Sequence, residues 1–162
     1  MLICSATLYI VHLTRDARAI AFSLLRRESL PSIRGEVYMP RLNLLHSALW
    51  WNSWNGLTSL FGKLLFKHYL YIRYEDFCYN PSESLRKILK FAKVNSVNLP
   101  FKSKYEAEIQ EHHILRGNPN RFQRGLVNIS LDEDWRRQMK LIDKLIVTTV
   151  SLPLLYAYKY TL

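Results

Sequence analysis

The run Leu8-Tyr-Ile-Val-His-Leu13 is rich in β-favouring side chains and ends in the polar group Thr14-Arg15-Asp16, predicting a buried strand that reaches a loop. Asp16 is a good N-cap, and Ala19, Ile20, Ser23, Leu24 and Arg26-Arg27 continue at helical spacing until Pro31. Between Gly35 and His68, Trp50, Trp51, Trp54, Phe61 and Phe66 recur with leucines. This predicts one or two helices, broken near Asn55-Gly56, whose aromatics fill a core. Tyr69 to Tyr74 alternates as a second strand. Asn80-Pro81-Ser82-Glu83 then opens a helix through a capping box with Pro at N1, and Leu85, Ile88, Leu89 and Ala92 form its apolar face. Residues 102–113 predict a polar helix and Arg116 to Gly125 a loop. Ser130 and Glu133 predict a capping box opening a last long helix with the stripe Trp135, Met139, Ile142 and Ile146.

Strands alternating with helices predict an α/β layered domain with parallel strands, formed by residues 1–162 as a single unit. Two strands are too few for a parallel sheet covered on both faces. The expectation is therefore an N-terminally incomplete domain, with further strands upstream of Met1.

Composition and charge narrow the partners. With 49% hydrophobic residues the chain can bury a core, and 23 Lys+Arg against 13 Asp+Glu give a net charge of +10. A polyanionic partner is favoured: a phosphorylated nucleotide, an acidic glycan, nucleic acid or an anionic membrane surface. Cys4 and Cys78 allow one disulfide at most and make no CxxC pair. The apolar stretches Met1–Leu13 and Leu145–Ala157 fall short of the roughly 20 residues a membrane helix needs.

Three clusters bear chemistry. In the first, Arg15 stands where a strand passes into a helix; its planar fork suits a phosphate, and Ser23, about two turns further on, adds a hydroxyl. The alternative is two solvated arginines and a helix-face hydroxyl. In the second, Tyr74 can stack on a base while Arg73 pairs with a carboxylate; adjacent Glu75 and Asp76 form ion pairs or caps rather than an acid–base pair. In the third, Gly117, Asn118, Arg121 and Arg124 make a basic loop able to close over an anion, the alternative being a merely solvated one. His112 and His113 point about 100° apart on a helix and lack partners at ligand spacing, so no metal is expected.

The segment Arg15-Asp-Ala-Arg-Ala-Ile-Ala-Phe-Ser23 resembles the R-D-P-R-A-V-x-x-S element of the sulfotransferase superfamily that uses 3′-phosphoadenosine 5′-phosphosulfate (PAPS), with Ala17 replacing the usual Pro. Tyr71-Ile-Arg-Tyr-Glu-Asp-Phe77 with Asn80-Pro81 is similar to the family's R-Y-E-D segment. His113-Ile-Leu-Arg-Gly-Asn-Pro-Asn-Arg-Phe122, followed by Asp132-Glu-Asp-Trp135, resembles an element of its carbohydrate-type branch. Leu152-Pro-Leu-Leu-Tyr156 resembles the closing segment.

The resemblance implies a P-loop-like, three-layer fold with parallel strands. It implies sulfonate transfer from PAPS to an acceptor hydroxyl, with a glycan as first choice and no metal. Arg15 and Ser23 would contact the 3′-phosphate, and Tyr74 and Arg121 complete the nucleotide-binding set. The family's P-loop-like segment, which binds the 5′-phosphosulfate, has no counterpart in this sequence. The chain alone is therefore expected to be inactive or nearly so, and no catalytic residue is assigned. A membrane anchor is expected only upstream. The compartment stays open between the Golgi lumen, for an animal-type enzyme, and the cytoplasm. Rival readings are a non-catalytic nucleotide- or polyanion-binding remnant and a basic nucleic-acid-binding protein. The second is disfavoured because the aromatics cluster with leucines instead of interleaving with cations.

Overall fold

A computed structural model describes residues 7–25, 29–30, 37–38, 42–95, 98–110 and 124–161. In chain order the elements are β1 (Tyr9–Thr14), α1 (Ala17–Leu25), β2 (Ser29–Leu30), β3 (Val37–Tyr38), α2 (Leu44–Leu65) and β4 (His68–Arg73). They continue with α3 (Tyr74–Tyr79), α4 (Pro81–Phe91), β5 (Glu106–Ile109), β6 (Gly125–Asn128), α5 (Asp134–Gln138) and α6 (Leu141–Ala157).

The fold is mixed α/β. β1 and β4 pair in parallel in a register that sets Thr14 opposite Arg73, so both strands end at the same level. Two antiparallel pairs among the described residues, β2 with β3 and β5 with β6, form separate sheets. Among the described residues the parallel part of the sheet thus has two strands, and the layering is less regular than the sequence pattern suggests. One face of the pair carries His12 and Thr14 inward; on the other, Val11 and Leu13 are exposed.

The core is built where α1, α2, α5 and α6 meet. Ala17, Ala19 and Ala21 bring α1 close to Ala48 and Trp51 of α2 and to Val147 and Leu155 of α6, with Trp135, Met139, Tyr158 and Tyr160 closing the cluster. Small residues on α1 let the helices approach, so the larger side chains of the neighbours fill the space.

Several sequence expectations need correction. α2 runs unbroken through Asn55-Gly56, because Asn55 folds its amide back on the Trp51 carbonyl and stays helical. Its aromatics do not all enter the core: Trp51 is buried, but Trp50 and Trp54 are 55% and 60% exposed. Successive helical residues point about 100° apart, so only one of two adjacent tryptophans can face the core. The polar stretch after residue 102 is not helical over 102–110. Glu106–Ile109 forms β5, because Ala107 alternates inward and its backbone pairs with Val127. The last helix is interrupted at Met139-Lys140, which resets its phase. Trp135 and Met139 are buried as expected, whereas Ile142 and Ile146 are exposed and Val147, Ser151 and Leu155 take the inner stripe. Neither capping box forms: Asn80 caps α4 without a side-chain bond, and α5 is capped at Glu133, not at Ser130, also without one.

Candidate functional site

The parallel pairing of β1 and β4 brings Arg15 and the Arg73–Asp76 segment to one end of the sheet. Arg15 leaves β1 and directs its guanidinium across the strand ends. Nη2 donates to the Asp132 carbonyl at 2.8 Å and to Asp132 Oδ2 at 2.9 Å, while the group's carbon lies 4.9 Å from the centre of the Tyr74 ring. Trp51 Nε1 donates to the Arg15 carbonyl at 2.9 Å and fixes the turn. Arg15 Nε is buried without a hydrogen-bond partner among the described residues. A guanidinium edge is thus only half used.

Asp16 is the helix cap that its residue type predicts, and it is more. Oδ1 accepts from the Arg18 backbone N–H at 2.8 Å and from Arg18 Nε at 2.9 Å, and Oδ2 accepts from Arg18 Nη2 at 2.7 Å. The pair is buried on both sides, and Arg18 also donates to the Thr161 carbonyl and lies 4.7 Å from the Trp135 ring centre. Arg18 is therefore no solvated surface charge. The start of α1, expected to attract an external anion, already holds the carboxylate of Asp16.

β4 ends in a similar arrangement. Arg73 grips Asp76 in a bidentate pair at 2.8 and 2.5 Å and donates to the Lys159 carbonyl. Glu75 accepts from the Asp16 backbone N–H at 3.0 Å and from the Tyr160 hydroxyl at 3.1 Å, tying the two strand ends together. Thr14 joins this web through the Tyr71 and Tyr160 hydroxyls. Burial, more than the Cys78 contact, raises the Tyr74 phenol to about 12; burial also raises Tyr71 to about 12 despite the Thr14 bond. Burial raises Tyr160 further and keeps the Cys78 thiol protonated. These phenols are neutral donors and stacking surfaces at neutral pH, and the thiol is not a nucleophile.

Of the four residues expected to bind nucleotide, Arg15 and Tyr74 are in contact. Ser23 is half-buried on α1, six residues beyond its start and so about 9 Å up the axis. Its hydroxyl has no side-chain hydrogen-bond partner among the described residues. Arg121 lies outside the described residues, as do Cys4, His112, His113, Gly117 and Asn118. The sequence reading missed Asp132 as the partner of Arg15, and Tyr160 as the residue that closes the web. Asp132 stood in the sequence reading only as part of the segment Asp132-Glu-Asp-Trp135.

A cleft of 140 Å³ opens beside the web, between Asp16, Glu75, Asp132 and Glu133 on one hand and Arg73 and Arg136 on the other. Its charges include no spare cation, so an anion meeting Arg15 must do so outside it. No three His, Cys, Asp or Glu side chains converge among the described residues, and no described helix is long and apolar enough to cross a membrane.

Comparison with known proteins returns nothing to stand beside this geometry: no family model, no curated protein and no solved structure matches the chain.

Proposed function

We propose that this chain forms the nucleotide-positioning part of a PAPS-dependent sulfotransferase. The supporting observation is the contact of Arg15 with Tyr74 at the common C-terminal end of two parallel strands, with Arg15 Nε buried and without a partner among the described residues. Crevices at such strand ends are where open α/β sheets take ligands. A guanidinium offering an unused N–H beside an aromatic face suits the phosphate and base of an adenosine nucleotide.

In this reading Arg15 and Ser23 hold the 3′-phosphate, Tyr74 faces the adenosine, and Arg121 adds positive charge. The acceptor hydroxyl, of a glycan by preference, attacks sulfur. The bond from sulfur to the bridging oxygen breaks, 3′-phosphoadenosine 5′-phosphate leaves, and the hydroxyl proton passes to a base this reading does not assign. The described residues bind and orient; Glu75 and Asp76 are engaged in the web and are not proton carriers.

Calorimetric titration with 3′-phosphoadenosine 5′-phosphate, against adenosine 5′-phosphate, tests this. The expected result is a preference for the 3′-phosphorylated nucleotide of at least tenfold, lost in Arg15→Ala/Ser23→Ala; about 1.4 kcal/mol, within reach of one charge-assisted hydrogen bond, corresponds to that factor. Equal affinity for both nucleotides in the unaltered chain would remove the proposal.

A further inference from the structure

A cleft of 760 Å³ lies away from Arg15, between α4 and the segment 98–104. Its volume is in the range of about 300–1,000 Å³ found for ligand pockets. One wall is the face of α4 carrying Ser82, Arg86 and Lys90, which recur every four residues and so line up along the helix. The other is held by backbone bonds to β5: Glu108 N–H to the Pro100 carbonyl at 2.7 Å and Lys102 N–H to the Glu106 carbonyl at 2.8 Å. This wall presents Lys102 and Lys104, with Ser103 between them. The C-terminal end of α4 is equally fixed, by the Val94 N–H on the Leu89 carbonyl at 2.9 Å and by Lys93 turning at φ 57°.

Four cations therefore face one groove from two hydrogen-bonded walls. Lys102 is paired with Glu108 at 2.8 Å. Arg86, Lys90 and Lys104 have no carboxylate partner among the described residues. Ser82, Asn95 and Asn98 line the groove with these charges, as does Ser103, whose hydroxyl donates to Glu106 at 2.9 Å. Among the described lining residues Phe101 is the single aromatic. A single-stranded nucleic acid would call for stacking faces between the cations. A lining of cations, amides and hydroxyls instead suits a chain of sugars bearing sulfate or carboxylate groups.

We infer that this groove is a binding site for an acidic oligosaccharide, gripped through its anionic groups by Arg86, Lys90 and Lys104. The site shares no residue with the Arg15 web and does not depend on a sulfotransferase reading.

The test is fluorescence-polarisation binding of a labelled chondroitin sulfate hexasaccharide to the full chain between 50 and 300 mM salt (~ conditions that span strong and weak screening). Binding should weaken with salt. Arg86→Ala/Lys90→Ala should lose at least about tenfold in affinity, two charge-assisted contacts being removed. Affinity for 3′-phosphoadenosine 5′-phosphate should be unchanged in that variant, which separates this site from the nucleotide proposal. Should the α4 variant fail to fold, Lys104→Glu on the opposite wall carries the same expectation. The inference is overturned if the desulfated, carboxyl-reduced hexasaccharide binds equally well, or if a folded variant binds like the parent. It is also overturned if a single-stranded oligonucleotide of equal charge binds more tightly through the same residues.

Discussion

Replacing Arg18 by Ala should be among the most damaging single changes in this chain. Asp16 and Arg18 are 4% and 6% exposed, and removing the guanidinium leaves the Asp16 carboxylate buried with only backbone support from the Arg18 N–H. It also deletes the bond to the Thr161 carbonyl and the contact with Trp135. Breaking one side of a buried pair costs about 3–5 kcal/mol. At about 2–4 °C per kcal/mol for a chain of this size, the melting temperature should fall by about 6–20 °C. The double change Asp16→Ser/Arg18→Met is the control: Ser retains a cap, Met retains apolar contact with Trp135, and no charge is left buried. It should recover most of the loss, since replacing a buried pair by neutral groups is often near-neutral. Urea unfolding followed by circular dichroism gives the three free energies. A cost for Arg18→Ala below about 1 kcal/mol, or a double variant less stable than the single one, would refute the account of this pair as an interdependent buried unit.

Two further predictions concern the other end of the sheet. A Cβ at Gly62 would overlap the Tyr69 ring, whose hydroxyl is held at 2.6 Å from His12 Nδ1, whereas a Cβ at Gly56 meets only Leu154 Cδ1 at 3.5 Å. Gly62→Ala should therefore lose about 1–3 kcal/mol by overpacking, and Gly56→Ala should gain about 0.5–1 kcal/mol from helix propensity; opposite shifts in melting temperature are the check. His12 is held below its ordinary value of 6.5 by burial and secondarily by Lys63, although the Asn55 bond acts in the other direction. The unfolded chain then binds a proton that the folded one resists, so this contribution to stability is intact above about pH 6.5 and lost as pH falls from there. Urea midpoints measured from pH 8 to pH 5 should decline below 6.5, and His12→Gln should flatten that decline.

The parts of the fold that could be read from sequence are those set by local signals. β1 and β4 lie within one residue of the apolar runs that predicted them, and α4 begins at Pro81, where a ring with fixed φ suits the first helical position. What escaped depends on the third dimension. Whether Trp50 or Trp51 enters the core is decided by which way α2 is rotated against α1 and α6. β5 escaped because Glu106-Ala-Glu-Ile109 has one buried side chain and owes its strand to pairing with β6 across residues far along the chain. The His12 network was invisible for the same reason: Tyr69 comes from β4, Asn55 and Ser59 from α2, and Tyr158 from the α6 C-terminus. Its proton arrangement follows once they meet. Asn55 donates its amide N–H to the Trp51 carbonyl, so its oxygen accepts from His12 Nε2 and the free Nδ1 accepts from the Tyr69 hydroxyl.

The same dependence on tertiary contact decides where anion affinity resides at the strand ends. A helix start following a strand attracts an anion through unsatisfied N–H groups, yet here Asp16 already accepts from the Arg18 N–H and is itself neutralised by the Arg18 guanidinium. The helix therefore contributes little spare positive potential, and on the proposed nucleotide reading the recognition would fall to Arg15. Arg15 is engaged on one side only, through Nη2 to Asp132, whose carboxylate is 55% exposed against 20% for the Arg15 side chain. The more exposed partner is the one whose loss of contact water can most readily compensate. On the proposed reading, a phosphate reaching Arg15 would replace an exposed carboxylate at low cost and offer an acceptor to Nε, which has none among the described residues.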